Sequence, residues 1–170
     1  MKTLILIPVR MASVRFPNKP MALIDGKTMI QRVWEQAIQS NLGEVIVACS
    51  EIEIYNFINS LGGKAEMTNP NLPSGTDRIF EAINNYSNIS HYDSIINLQG
   101  DMPIINPKDI EKTNIPLNQG FDMGTLVTEL TEDQGRDINV TKAKIDWINK
   151  YKIGKAIDFN KNILNSINSK

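Results

Sequence analysis

Arg10, Ser13, Arg15 and Lys19 fall within ten residues of one another, on a stretch, VRMASVRFPNKP, whose other members are mostly small or turn-forming. Three cations and a hydroxyl converging from one loop, together with its backbone donors, match what a triphosphate requires, because charge-assisted hydrogen bonds offset the charge on its oxygens. The same cluster also fits a solvated basic loop. Two further segments carry polar residues where chemistry is feasible. In PSGTDR, Pro73 to Arg78, Gly75 permits a tight turn and Thr76 to Arg78 can open a helix whose first amides face an anion or a base edge. As local chemistry this is equally a turn and a cap. Gln99, Gly100 and Asp101 end an apolar run, which puts Asp101 at the rim where phosphates would arrive or, on the plainer reading, makes it a turn or helix cap.

These segments need strands and helices to hold them. Thr3 to Ile7 reads TLILI, a continuous apolar run closed by Pro8, as expected of a central strand buried on both faces of a parallel sheet. From Thr28 the apolar Met29, Ile30, Val33, Trp34, Ala37 and Ile38 recur at helical spacing, with Thr28 as N-cap and Gln31 in the reciprocal capping position. EVIVAC at Glu44 to Cys49 predicts a second strand, and Ile54, Phe57, Ile58 and Leu61 predict a second helix closed by Gly62 and Gly63. KAEMT follows as a short strand. Thr76 is expected to cap a third helix carrying Ile79, Phe80 and Ile83, and SIINLQGD at Ser94 to Asp101 to form another strand. Such alternation implies right-handed crossovers and an open, mostly parallel, three-layer α/β/α sheet with ligands at the carboxyl ends of its strands. All three polar segments lie at such ends.

IPVRMASVRFPNKPM resembles the signature of the sugar nucleotidyltransferases that make CMP-activated sugar acids, in which a strand leads into an R-x-x-S-x-R-[LF]-P-x-K-P loop. Six positions match in order, Arg10, Ser13, Arg15, Pro17, Lys19 and Pro20, a more specific signal than a short glycine pattern. PSGTDR resembles the [PS]-S-G-T-D-R segment of the 3-deoxy-manno-octulosonate (KDO) cytidylyltransferase family. Sialic-acid cytidylyltransferases share the general first loop but not the pair of segments. The resemblance implies a nucleotide-diphospho-sugar transferase (Rossmann-like) fold and the reaction of CTP with KDO to give CMP-KDO and diphosphate, for lipopolysaccharide assembly.

By that resemblance Arg10, Ser13, Arg15 and Lys19 hold the phosphates of CTP, while Ser74, Gly75, Thr76 and Arg78 line the nucleotide pocket. Gln99 touches the sugar acid or ribose, and Asp101 binds Mg²⁺, with Arg10, Lys19 and Asp101 as the catalytic set. Mg²⁺ suits this role because it takes one or two carboxylates together with phosphate and water oxygens. The chain departs from the family's QGDEP at Met102, and ACSE at Ala48 to Glu51 stands where the family has A-T-D-D. Cys49 reads as a small buried filler there, and His91 as a surface residue ahead of a strand.

The likeness is expected to run from about Leu4 through INVTKAKID, making residues 1–146 a nucleotide-binding domain and residues 147–170 a divergent or loose tail. That tail is rich in Asn, Lys and Ile without a clear period, so a marginal helix or loose end is expected. The family's later segments, a dimerising arm and a second metal-binding aspartate among them, are not recognisable after Asp146. The expectation is therefore a chain lacking the dimer portion of a homodimeric family and showing little turnover. The alternatives are a CTP-dependent transferase for another sugar acid, of sialic-acid type, and a non-catalytic nucleotide-binding remnant. Composition narrows the field further. A formal net charge of -1 gives no overall pull toward nucleic acid or acidic membranes. The N-terminal apolar run is too short for a signal core or membrane span. A single cysteine, Cys49, excludes an intramolecular disulfide and fits a reducing cytoplasm.

Overall fold

Thr3–Pro8 (β1), TLILIP, is buried at every position in a computed structural model that describes residues 1–11, 16–87, 89–149 and 153–162. After it come a short 3-10 turn at Lys19–Met21, the two-residue strands Leu23–Ile24 (β2) and Lys27–Thr28 (β3), and the helix Met29–Gln39 (α1). Gly43–Cys49 (β4), Ile52–Ser60 (α2), Lys64–Met67 (β5) and Gly75–Asn85 (α3) alternate next, and then Ser94–Asn97 (β6) and Pro107–Lys112 (α4). The sheet order is β5-β4-β1-β6 with every pairing parallel, and Ile5 stands opposite Val45 on one side and Ile96 on the other.

Side chains of a strand alternate between faces, so β1 feeds two cores. Ile5 and Ile7 pack with Ile30, Val33 and Ala37 of α1, Ile54 and Ile58 of α2, and Ile110 of α4. Leu4 and Leu6 pack instead with Ile79 and Ala82 of α3. Helices therefore cover both faces, which is the open three-layer α/β/α sheet expected from the alternation. Truncating one of these buried aliphatics to alanine would cost about 2–5 kcal/mol.

Local differences from the expectations have physical causes. Thr28 does cap α1, accepting the amide of Gln31 at 3.2 Å, but the Gln31 side chain donates to Glu35 at 3.0 Å rather than reaching back to the cap. Ser74, not Thr76, caps α3, because its hydroxyl accepts the Asp77 amide at 3.1 Å and Thr76 falls inside the first turn. β6 ends at Asn97 rather than Asp101. One further bond, from Leu98 N to Leu6 O at 3.0 Å, precedes the turn, and at Gly100 an added Cβ would lie 2.9 Å from Pro8 O, so the backbone passes close to β1 there.

The chain divides into two units, Met1–Thr113 and Asn114–Lys170. The second contains the short helices Ile115–Asn118 (α5) and Glu132–Arg136 (α6) and the strands Lys142–Asn149 (β7) and Ile153–Asn160 (β8). The marginal helix or loose tail expected from residue 147 is corrected here as far as residue 160, because β7 and β8 pair antiparallel from Lys142 opposite Asn160 to Asn149 opposite Ile153. Lys142 anchors the open end of the hairpin, with its buried ammonium donating to the carbonyls of Asp137 and Lys161. Residues 150–152 and 163–170 of the expected tail lie outside the described residues. Among the described residues no helix is long and apolar enough to cross a membrane.

Candidate nucleotide site

The carboxyl ends of β1 and β6 and the start of α3 enclose a cleft of about 450 Å³, within the usual range for a small-molecule site. Arg10 and Lys19 reach it from the loop after β1, Ser74, Gly75 and Arg78 from the opening of α3, and Gln99, Gly100 and Asp101 from the turn after β6. All three polar segments singled out in the sequence thus meet at one place. Thr76 is exposed on α3 and is not among the lining residues. Ser13 and Arg15 lie outside the described residues. Met29 and Leu72 supply apolar wall that the polar motifs did not announce.

The rim carries an ion pair: Lys19 Nζ lies 2.8 Å from Asp101 Oδ2, with both side chains partly exposed. Gln99 donates to Asn97 Oδ1 at 2.6 Å, which turns its amide oxygen toward Gly75, where an added Cβ would meet Gln99 Oε1 at 3.3 Å and Pro8 Cγ at 3.1 Å. Glycine is what lets α3 begin this close to β1.

Arg78 forms the closed end. It is 2% exposed, and its Nη1 donates to Thr68 Oγ1, which in turn donates to Cys49 O at 2.9 Å. Among the described residues its Nη2 is buried without a hydrogen-bond partner, as are Ser50 Oγ and Glu51 Oε2. Burial lowers the Arg78 pKa from its usual value, only partly countered by the Glu51 carboxylate. A buried donor left unpaired costs about 1–3 kcal/mol, so a guanidinium held open in a cleft wall is placed to receive an acceptor from a ligand. Cys49 lies alongside, buried, with burial and the Glu51 carboxylate pushing its thiol up to about 12. It is an inert filler rather than a nucleophile.

The cytidylyltransferase family profile matches residues 4–167, so the likeness continues beyond Asp146, where it had been expected to stop. The chain is 41% identical to a 3-deoxy-manno-octulosonate cytidylyltransferase of Paramagnetospirillum magneticum over 93% of its own length and 65% of the relative's. It is 37% identical to one from Rhodospirillum centenum, over 92% and 62%. It therefore spans somewhat less than two thirds of these curated relatives. Among solved structures it superposes on CMP:2-keto-3-deoxy-manno-octonic acid synthetase complexed with CTP with a TM-score of 0.84 and 31% identity, covering 99% of this chain and 69% of that one.

Proposed function

Because the chain belongs to the cytidylyltransferase family, we propose that its cleft binds CTP and serves the transfer of CMP to KDO. The observation that carries this reading is the convergence of Arg10, Lys19, Ser74, Arg78, Gln99 and Asp101 on one cleft at the carboxyl ends of parallel strands. In the reaction an anomeric hydroxyl of the sugar acid attacks the α-phosphate. A new P–O bond forms, the bond to the β-phosphate oxygen breaks, diphosphate leaves, and the hydroxyl proton passes to solvent. The protein's part is to position the reactants and neutralise charge. Arg10 and Lys19 hold phosphate oxygens, Arg78 Nη2 donates to an acceptor on the nucleotide at the closed end, and Gln99 orients the sugar acid or the ribose.

Asp101 suits Mg²⁺, being a hard carboxylate at the rim where phosphates would share the ion; a single carboxylate completed by substrate oxygens is a usual Mg²⁺ arrangement. Bound there, the ion would neutralise charge developing on the α-phosphate. The names of the relatives support KDO over a sialic acid as acceptor, and a CMP-KDO product would serve lipopolysaccharide assembly. The lone, buried, unpaired thiol of Cys49 fits a cytoplasmic setting.

Calorimetric titration of the chain with CTP and with ATP tests the binding step, and diphosphate release from CTP and Mg²⁺ with KDO or N-acetylneuraminate tests the acceptor. The expected result is binding of CTP in preference to ATP and release that depends on KDO. Indifference to the base, or release driven by the sialic acid, would overturn the proposal.

A further inference from the structure

The chain leaving β1 is tethered on both sides of Arg10. On one side, Val9 donates its amide to Ala48 O at 2.9 Å, extending the β1–β4 ladder one step past the end of β1. On the other, Met11 donates its amide to Glu51 Oε1 at 3.1 Å, and Met11 O accepts from Asn18 N at 3.3 Å, which closes the base of the basic loop. Glu51 is an unusual residue to find in this role. It is the N-cap of α2, a position whose side chain normally accepts an amide from the first turn of its own helix, yet it makes no such bond. Its carboxylate crosses to Met11 instead, leaving Oε2 buried without a partner among the described residues. An uncapped helix and an unpaired buried acceptor both cost stability. Local rules broken in this way gather at functional sites.

We infer that Glu51 is a positioning residue, whose carboxylate fixes the Met11 amide so that Arg10 beside it meets the phosphates of a nucleotide in one orientation. This rests on the nucleotide reading of the cleft and deepens it. Glu51 does not line the cleft and acts only through the backbone it holds. What matters is an acceptor at the right reach. A glutamine supplies a carbonyl oxygen at the same distance, whereas an aspartate keeps the charge but falls one methylene short.

The test compares wild type with Glu51→Gln, Glu51→Asp and Glu51→Ala by calorimetry with CTP and CMP, and by exchange of the Met11 amide in nucleotide-free protein. Glu51→Ala and Glu51→Asp are expected to bind CTP about tenfold more weakly, the size of effect of one lost charge-assisted contact, while CMP, with one phosphate, changes less. Glu51→Gln is expected to keep both affinities and to keep the Met11 amide protected. Should Glu51→Ala fail to fold, the aspartate and glutamine variants decide. Equal weakening of CTP and CMP, or aspartate retaining affinity where glutamine loses it, would overturn the inference. Absence of CTP binding by wild type would defeat the proposed function itself. The Met11 amide then still decides the tether, since free exchange in wild type or unchanged protection in Glu51→Ala overturns it.

Discussion

Strand β4 has a glutamate near each of its ends, and the two are treated in opposite ways. Glu44, at the amino end, accepts hydrogen bonds from Tyr86, from Lys64 and from Tyr92, whose ring stands 6.4 Å from that of Tyr86. Burial raises its pKa, but the bonds from Lys64, Tyr92 and Tyr86 outweigh that and hold it below the usual carboxylate value. Glu51, just past the carboxyl end, accepts one hydrogen bond from a loop amide and, among the described residues, leaves an oxygen unpaired, as Arg78 leaves a nitrogen and Ser50 a hydroxyl. Around Glu44 the polar groups satisfy each other; around Glu51 they are kept open. The first arrangement stabilises the fold, and the second stores capacity for a ligand at some cost to it.

The sharpest way to break this contrast is Arg78→Met. CTP binding should weaken by about 2 kcal/mol, or roughly 30-fold by calorimetry. The melting temperature should hold or rise, because replacing an imperfectly paired buried charge by an apolar side chain of similar length is often neutral or stabilising. A lowered melting temperature with unchanged CTP affinity would reverse the assignment of the two ends. Glu44→Gln should do the opposite. It weakens a charged acceptor serving three donors, so stability should fall by about 1–2 kcal/mol in chemical denaturation with CTP affinity unchanged.

The pH dependence sharpens the same point. A carboxyl with a folded pKa below its unfolded value contributes stability above the unfolded pKa, and the contribution is lost as pH falls through the folded one. For Glu44 the loss should begin near the ordinary value of 4.5 and continue below it. The Glu44→Gln protein should lack this component of acid unfolding. The smallest effect belongs to Asp101→Asn. Its pair with Lys19 is 56% and 33% exposed at the two side chains, so stability should change by less than about 1 kcal/mol. The substitution should instead reduce the Mg²⁺ dependence of CTP affinity, and equal dependence in both proteins would remove Asp101 from the site.

The parts legible in the sequence were those written in contiguous residues. LILIP announced a strand buried on both faces because every side chain was apolar, and Arg10 and Lys19 from the loop after it line the cleft. Contacts between distant segments were not legible. Nothing local ties Glu51 to the loop after β1, and only the parallel register of β1 and β4 brings it to Met11. Arg78 could be assigned to the pocket, but its burial and its open nitrogen depend on Thr68 and on the depth of α3. The β7–β8 hairpin did carry a signal, since Ala143, Ile145 and Trp147 alternate with Lys142, Lys144 and Asp146. Irregular register between Lys144 and Ile145 and between Trp147 and Asn149 interrupts the pairing, and much of both strands stays exposed. No clean alternation of buried and exposed faces was therefore available to read.

The Lys19–Asp101 pair also bears on how fast a nucleotide arrives. Two opposite charges 2.8 Å apart look, from beyond a Debye length of about 8 Å at physiological salt, like a dipole and exert little pull on an approaching triphosphate. Electrostatic steering, which can raise capture rates by orders of magnitude, then falls to Arg10 and the basic loop. With the net charge of the whole chain at -1, the association rate of CTP should depend only modestly on ionic strength. On the proposed nucleotide reading, selection is left to the moment of contact, when phosphate oxygens would compete with Asp101 for the same ammonium.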